Sequence, residues 1–158
     1  MATDFVDEND DPHARAPIEG GEPRPRILLV DDDPATLLII EQAVRDADME
    51  VVATTYDGEH ALDLARQLQP DLALIDWDMP HYGGALTARL MRRYVPDVTP
   101  VLLLGRSDFG EVDTAGSKAR FSAIPKGSDP TELREQLNTF HHRDAFAAPP
   151  QDPVSRPG

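Results

Sequence analysis

Short apolar runs alternate with longer amphipathic stretches through the middle of this 158-residue chain. The first run, Arg26-Ile27-Leu28-Leu29-Val30, is rich in leucine and β-branched residues and stops abruptly at acids. That is the pattern of a strand buried on both faces of a parallel sheet. Pro34 then opens a helix, with Asp33 as its N-cap, and Leu37, Leu38, Ile40, Ala43, Val44 and Ala47 form its apolar side. Val51–Thr54 reads as a second strand. After the Asp57-Gly58 turn, Glu59–Leu68 reads as a helix with Ala61, Leu64, Ala65 and Leu68 on one face, stopped by Pro70. Leu72–Ile75 is a third buried strand ending at Asp76, followed by a loop through Met79, Pro80, Gly83 and Gly84 and a helix over Ala85–Tyr94. Pro100–Leu104 gives a fourth strand. Gly105 to Ser122 has a poor helical period; Ala123–Pro125 is a brief fifth strand. Pro130–Phe140 is a last helix, with Asp129 as N-cap and Leu133, Leu137 and Phe140 inward.

This β-α alternation implies an α/β fold, a parallel sheet covered by helices on both faces with right-handed crossovers. Five such strands suit the flavodoxin-like doubly wound sheet, strand order 2-1-3-4-5, whose ligand crevice lies at the carboxyl ends of the strands. The expected organisation is an acidic tail over 1–25, one domain over 26–140 and a second tail, with prolines and alanines, over 141–158. Neither tail has enough large apolar residues to offset the entropy of ordering it, so both are expected to be disordered.

Composition narrows the function. A net charge of −14 and the lack of a basic patch argue against nucleic acid as a partner. No apolar run approaches the ~18 residues of a membrane span, and the acidic start lacks the pattern of a signal peptide. There is no cysteine, which excludes disulfides and thiolate metal sites and fits a cytoplasmic protein. Only Lys118 and Lys126 are lysines, so a lysine at a strand end draws interest.

The strand ends carry the chemistry. The first strand runs into Asp31-Asp32, the third into Asp76, and the fifth into Lys126. Each has an ordinary reading alone: a solvated charge run capping a helix, a loop acid, a surface lysine. Their meeting at the carboxyl edge of one sheet is much harder to ascribe to chance. Carboxylates this close disfavour one another's charge unless a cation intervenes. Mg²⁺ is the expected cation, being hard and typically held by one or two carboxylates with waters and phosphate. Asp76 is then the candidate nucleophile toward phosphorus, and Lys126 the point charge pairing with a phosphoryl oxygen.

At these residues the chain resembles the receiver domains of two-component response regulators. Ile27–Pro34 resembles the opening of that family, Asp71–Pro80 with Gly83-Gly84 its phosphoacceptor segment, and Lys126 with Asp129-Pro130 and Glu132-Leu133 its closing strand and helix. The resemblance covers about residues 26–140. It implies that Asp31 and Asp32 bind Mg²⁺, that Asp76 is phosphorylated and also ligates the metal, that the backbone carbonyl of Asp78 is a further ligand, and that Lys126 pairs with the phosphoryl group. It further implies a histidine kinase or histidine phosphotransfer protein as donor, and an unknown downstream protein as partner.

Several positions depart from that family's pattern. Gly105 stands where a Thr or Ser hydroxyl is usual, Arg106 where a small residue is usual, and Ala123 where an aromatic ring is frequent; Pro125 precedes the lysine and Gly127 follows it. Ser107 is the nearest substitute hydroxyl. The phosphoacceptor machinery thus looks intact and the conformational readout altered. The leading expectation is a non-enzymatic, single-domain phosphoacceptor without an output domain, acting by protein interaction or as a phosphate sink. A docking module that works without phosphorylation is the alternative. A phosphatase built on Asp76-Trp77-Asp78 fits poorly, because here the acidic pair comes first in the chain. His141-His142 reads as an exposed helix end and Trp77 as a loop aromatic beside the site.

Overall fold

The computed structural model describes residues 23–105 and 121–144, with the backbone alone for 141–144. Most of both expected tails, together with Arg106, Ser107 and nearly all of the segment up to Ser122, lies outside the described residues. In chain order the elements are β1 (Arg26–Val30), α1 (Pro34–Asp46), β2 (Glu50–Thr55), α2 (Gly58–Leu68), β3 (Leu72–Asp76), α3 (Gly84–Tyr94), β4 (Thr99–Leu104), β5 (Ser122–Pro125) and α4 (Pro130–Asp144). The five strands form one parallel sheet in the order β2-β1-β3-β4-β5, the flavodoxin-like winding expected. Asp33 and Asp129 cap α1 and α4, each side chain accepting from two backbone N–H groups of the first turn. Asp57, expected only as part of a turn, caps α2 in the same way.

Strand residues alternate between two cores. Ile27, Leu29, Leu72, Leu74, Val101, Leu103 and Ile124 point to one face, where they meet Leu37 and Val44 of α1 and Leu133 and Leu137 of α4. Leu28, Val30, Ala73, Ile75, Leu102 and Leu104 point to the other, against Ala61 and Ala65 of α2 and Ala88 and Met91 of α3.

Three expectations need correction. Leu38 does not face inward: it is 68% exposed, and its neighbour Ile39 70%. At 100° per residue, the four consecutive apolar residues 37–40 point around most of the helix, and only Leu37 is buried. The last helix also continues past Phe140 to Asp144, four residues into the expected second tail. At the other end, Pro25 belongs to the domain, since its carbonyl accepts from Glu50 N at 2.9 Å.

α2 and α3 pack unusually closely where Gly58 faces Thr87. A Cβ at Gly58 would lie 2.2 Å from Thr87 Oγ1 and 3.1 Å from Tyr82 Cβ. Thr87 is fully buried, and its hydroxyl is committed to the Gly83 carbonyl at 3.0 Å. Gly58→Ala should therefore cost about 1–3 kcal/mol in urea unfolding. Adding Thr87→Ala should return part of that loss. Two losses that simply add would refute the contact.

Candidate functional site

The period-two alternation that builds the cores also builds the site. Asp31 continues the row Ile27-Leu29, Asp76 the row Leu72-Leu74, and Lys126 follows Ile124 in the same sense. β1 and β3 are in register through Val30↔Ile75, so the next residue on β1's side, Asp31, comes level with Asp76. β4 and β5 are in register through Leu104↔Pro125, and Lys126 N donates to the Leu104 carbonyl at 2.8 Å. The three charged side chains thus leave the sheet on one face, one step past its apolar core.

Their distances are short. Lys126 Nζ lies 2.6 Å from Asp76 Oδ1 and 3.5 Å from Asp31 Oδ2. Asp31 and Asp76 are 1% and 3% exposed, whereas Asp32 is exposed. Asp31, Asp32 and Asp76 each present one carboxylate oxygen, and these three oxygens lie within 4.8 Å of one another. Asp31 Oδ1 accepts from Asp33 N at 2.9 Å. Its Oδ2 is buried without a hydrogen bond, and the ammonium at 3.5 Å is an ion-pair neighbour only. Asp78 itself is exposed, with its N–H 3.4 Å from Asp76 Oδ1. The sequence-predicted residues Asp31, Asp32, Asp76 and Lys126 therefore converge, and Asp78 sits on the adjoining loop.

Burial and the pairing of opposite charges act in opposite directions here. Burial is the chief cause that raises the Asp31 carboxyl above its ordinary range. The Asp76 charge adds to it, and the Asp33 N–H and Lys126 only partly offset it. For Lys126, burial is the largest single influence and pulls the ammonium down. The hydrogen bond and charge of Asp76, with help from Asp31, outweigh it and leave Lys126 above its usual value.

Two residues that sequence reasoning gave no role hold this arrangement. The Thr55 carbonyl at the end of β2 accepts from Asp31 N at 3.1 Å, and the Thr55 side chain is buried. The strand-end rule that singled out the acids applies to Thr55 too. Gly84, at the start of α3, approaches so closely that a Cβ there would sit 2.1 Å from the Asp76 carbonyl oxygen. Its N–H donates to the Trp77 carbonyl at 3.1 Å, which closes the loop carrying Asp78.

Residues 27–138 match the response regulator receiver domain family. The chain belongs to that family. Among curated proteins, it is 32% identical over 124 residues to a protein-glutamate methylesterase/protein-glutamine glutaminase of Methanospirillum hungatei, covering 73% of this chain and 34% of that protein. It is 36% identical over 90 residues to the transcriptional regulatory protein PrrA of Mycobacterium tuberculosis, covering 57% and 38%. The chain thus spans about a third of the length of such relatives. Among solved structures, the receiver domain of AraT from Geobacillus stearothermophilus superposes with a TM-score of 0.64 at 27% identity, covering 75% of this chain and 93% of that one. A receiver domain from Clostridium thermocellum gives 0.67 at 21% identity, covering 77% and 97%. Phosphorylation and an acidic Mg²⁺ pocket are general features of receiver domains. Among the described residues of this one, no helix is long and apolar enough to cross a membrane.

The raised Asp31 carboxyl has a consequence for stability. A carboxyl group that is harder to ionise in the folded state detracts from stability once the pH exceeds its ordinary range, and not below it. Without divalent cations, Asp31→Asn should therefore stabilise the domain, and the gain should grow as pH rises through the carboxylate range. Melting curves across acidic to neutral pH with a chelator present would test this; a pH-independent difference, or a loss, would contradict it.

Proposed function

We propose that this receiver domain accepts a phosphoryl group on Asp76 from a phosphohistidine on a histidine kinase or histidine phosphotransfer protein. The carrying observation is the buried Asp76 carboxylate, paired to Lys126 at 2.6 Å and clustered with oxygens of Asp31 and Asp32. One Asp76 oxygen forms the new P–O bond as the donor's P–N bond breaks. The electron pair leaves with the imidazole nitrogen, which takes up a proton. Lys126, already directed at Asp76, pairs with a phosphoryl oxygen and offsets its charge.

The residues fit a hard divalent cation. The donors are all oxygens, and Asp31 Oδ2 is a buried acceptor without a hydrogen-bond donor, a costly state that a cation relieves. Asp31, Asp32, Asp76 and the backbone carbonyl of Asp78 would hold Mg²⁺. Bound there, it would offset the charge shared by the carboxylates and the phosphoryl oxygens.

The donor's docking surface is supported by α1. The exposed Leu38 and Ile39, with Pro130 at the start of α4, line an open groove of about 400 Å³. Both helices start at the carboxyl edge of the sheet, beside Asp31 and Lys126. Cytoplasmic action through a downstream protein, without nucleic acid or membrane, completes the reading.

A second reading, a docking module independent of phosphorylation, draws on two residues. Gly105 follows Leu104, whose carbonyl is bonded to Lys126 N, and it brings no side-chain donor to the site. Ala123 is half-buried in β5 and has no ring to reorient. In the phosphoacceptor reading, these two residues confine the response to the neighbourhood of Asp76.

Intact-mass measurement with a small phosphodonor separates the two. With Mg²⁺ the chain should gain one phosphoryl group; Asp76→Asn, or a chelator, should abolish the gain. A wild-type chain that never gains mass would favour the docking module. Leu38→Asp with Ile39→Asp should slow transfer from a protein donor by at least ~10-fold, given ~1–2 kcal/mol per apolar anchor. Labelling by the small donor should be unchanged, and equal slowing with both donors would count against the α1 surface.

A further inference from the structure

In an acidic chain, α3 (GALTARLMRRY) carries Arg89, Arg92 and Arg93 and no acid. Every other described helix carries at least two acids. The helix dipole favours arginines in a last turn, which accounts for Arg92 and Arg93 but not for Arg89. The Arg92 guanidinium lies 5.3 Å from the centre of the Phe121 ring, and that of Arg93 5.6 Å from the centre of the neighbouring Tyr94 ring. Arg89 and Arg93 are exposed and one turn apart, and they share a stripe with Leu86 and the half-buried Leu90. Leu86 is 43% exposed and Tyr94 54%, so the surface is both cationic and apolar. Leu90 packs partly against the α2–α3 core, whereas Leu86, Arg89 and Arg93 are exposed, and the surface is separate from the carboxylate cluster.

The chain contains a matching segment. Asp4–Asp11 holds Asp4, Asp7, Glu8, Asp10 and Asp11, the apolar pair Phe5-Val6, and no lysine or arginine. We propose that this acidic segment docks on the Arg89–Arg93 face of α3 in its own chain, its carboxylates on the arginines and Phe5-Val6 against Leu86.

The geometry permits this. Arg26 begins β1 at the amino edge of the sheet, with its N–H on Asp71 Oδ2 at 2.8 Å. The Asp71 carbonyl in turn accepts from Thr99 N at the start of β4. The chain entry and β4 are therefore two strand spacings apart, about 10 Å. The end of α3 reaches that same edge, because Val98 N donates to the Val95 carbonyl just before Thr99. Pro23 starts on the α1–α4 side, near Ala47 and Asn138, so the segment must cross the amino edge of the sheet. Residues 12–22 span up to about 35 Å when extended, enough for that path. Intramolecular linkage raises the effective concentration of the segment into the millimolar range.

The absence of cysteine allows a clean test on the full chain. A nitroxide on Thr3→Cys should broaden amide signals at Leu86, Arg89, Leu90 and Arg93, most of their intensity being lost relative to the reduced label. The effect should vanish at 1 M salt, where the Debye length is only ~3 Å. It should also vanish in Arg89→Glu/Arg93→Glu, and return when Asp7→Arg/Glu8→Arg is added. That return separates lost docking from lost folding. No selective broadening on α3, broadening indifferent to charge reversal, or broadening that grows with protein concentration would each overturn the proposal. The last would mean docking onto a second copy.

Discussion

Two carboxylates buried side by side constrain everything around them. Asp31 and Asp76 are almost fully removed from water, and the ammonium of Lys126 is the cation shown between them. A buried ion pair is stabilising only when its remaining lone pairs are satisfied. Asp76 is served by Lys126 and the Asp78 N–H; Asp31 keeps one oxygen without a donor. The pocket is thus an arrangement with one positive charge too few. That deficit is of the kind a bound cation relieves, and it is a poor arrangement for a merely structural ion pair.

The rest of the fold holds that deficit in place. The parallel ladders fix Asp31 to β2 through the Thr55 carbonyl and Lys126 to β4 through the Leu104 carbonyl. α3 is pressed against the Asp76 backbone at Gly84, and the Gly84 N–H on the Trp77 carbonyl brings the loop bearing Asp78 back to the strand end. Side chains on both cores are packed beneath these contacts. The charged groups are therefore held close despite their repulsion.

Much of this was legible in the sequence because the strands are short apolar runs that end abruptly in charge. Ile27–Val30 followed by Asp31, and Leu72–Ile75 followed by Asp76, mark both the strand and the point where it stops. Asp33 and Asp129 were legible as caps from their place before Pro34 and Pro130. Other features left no such mark. Four successive apolar residues at 37–40 have no period, so the outward turn of Leu38 and Ile39 could not be read. Arg-Asp at the end of α4 resembles a tail as much as a helix. Gly84 signals a need for space but not whose backbone fills it, and Thr55, though it ends a strand, carries no charge to set it apart. The joint hold of Lys126 on Asp31 and Asp76 depends on the register among four strands, which no single stretch of sequence encodes.

The shared parity of Asp31, Asp76 and Lys126 also bears on how such a chain can change over generations. Each reaches the pocket because it lies an even number of residues from core side chains on the same face. Replacing one core leucine by another aliphatic residue leaves that count untouched, so the strands can drift widely in spelling. Losing or gaining one residue inside β1 or β3 would turn the carboxylate toward the α2–α3 core and the neighbouring aliphatic side chain into the pocket. Lineages of this domain are therefore free to rewrite the letters of their strands but not to alter their length, and variation in length is left to the connections between them.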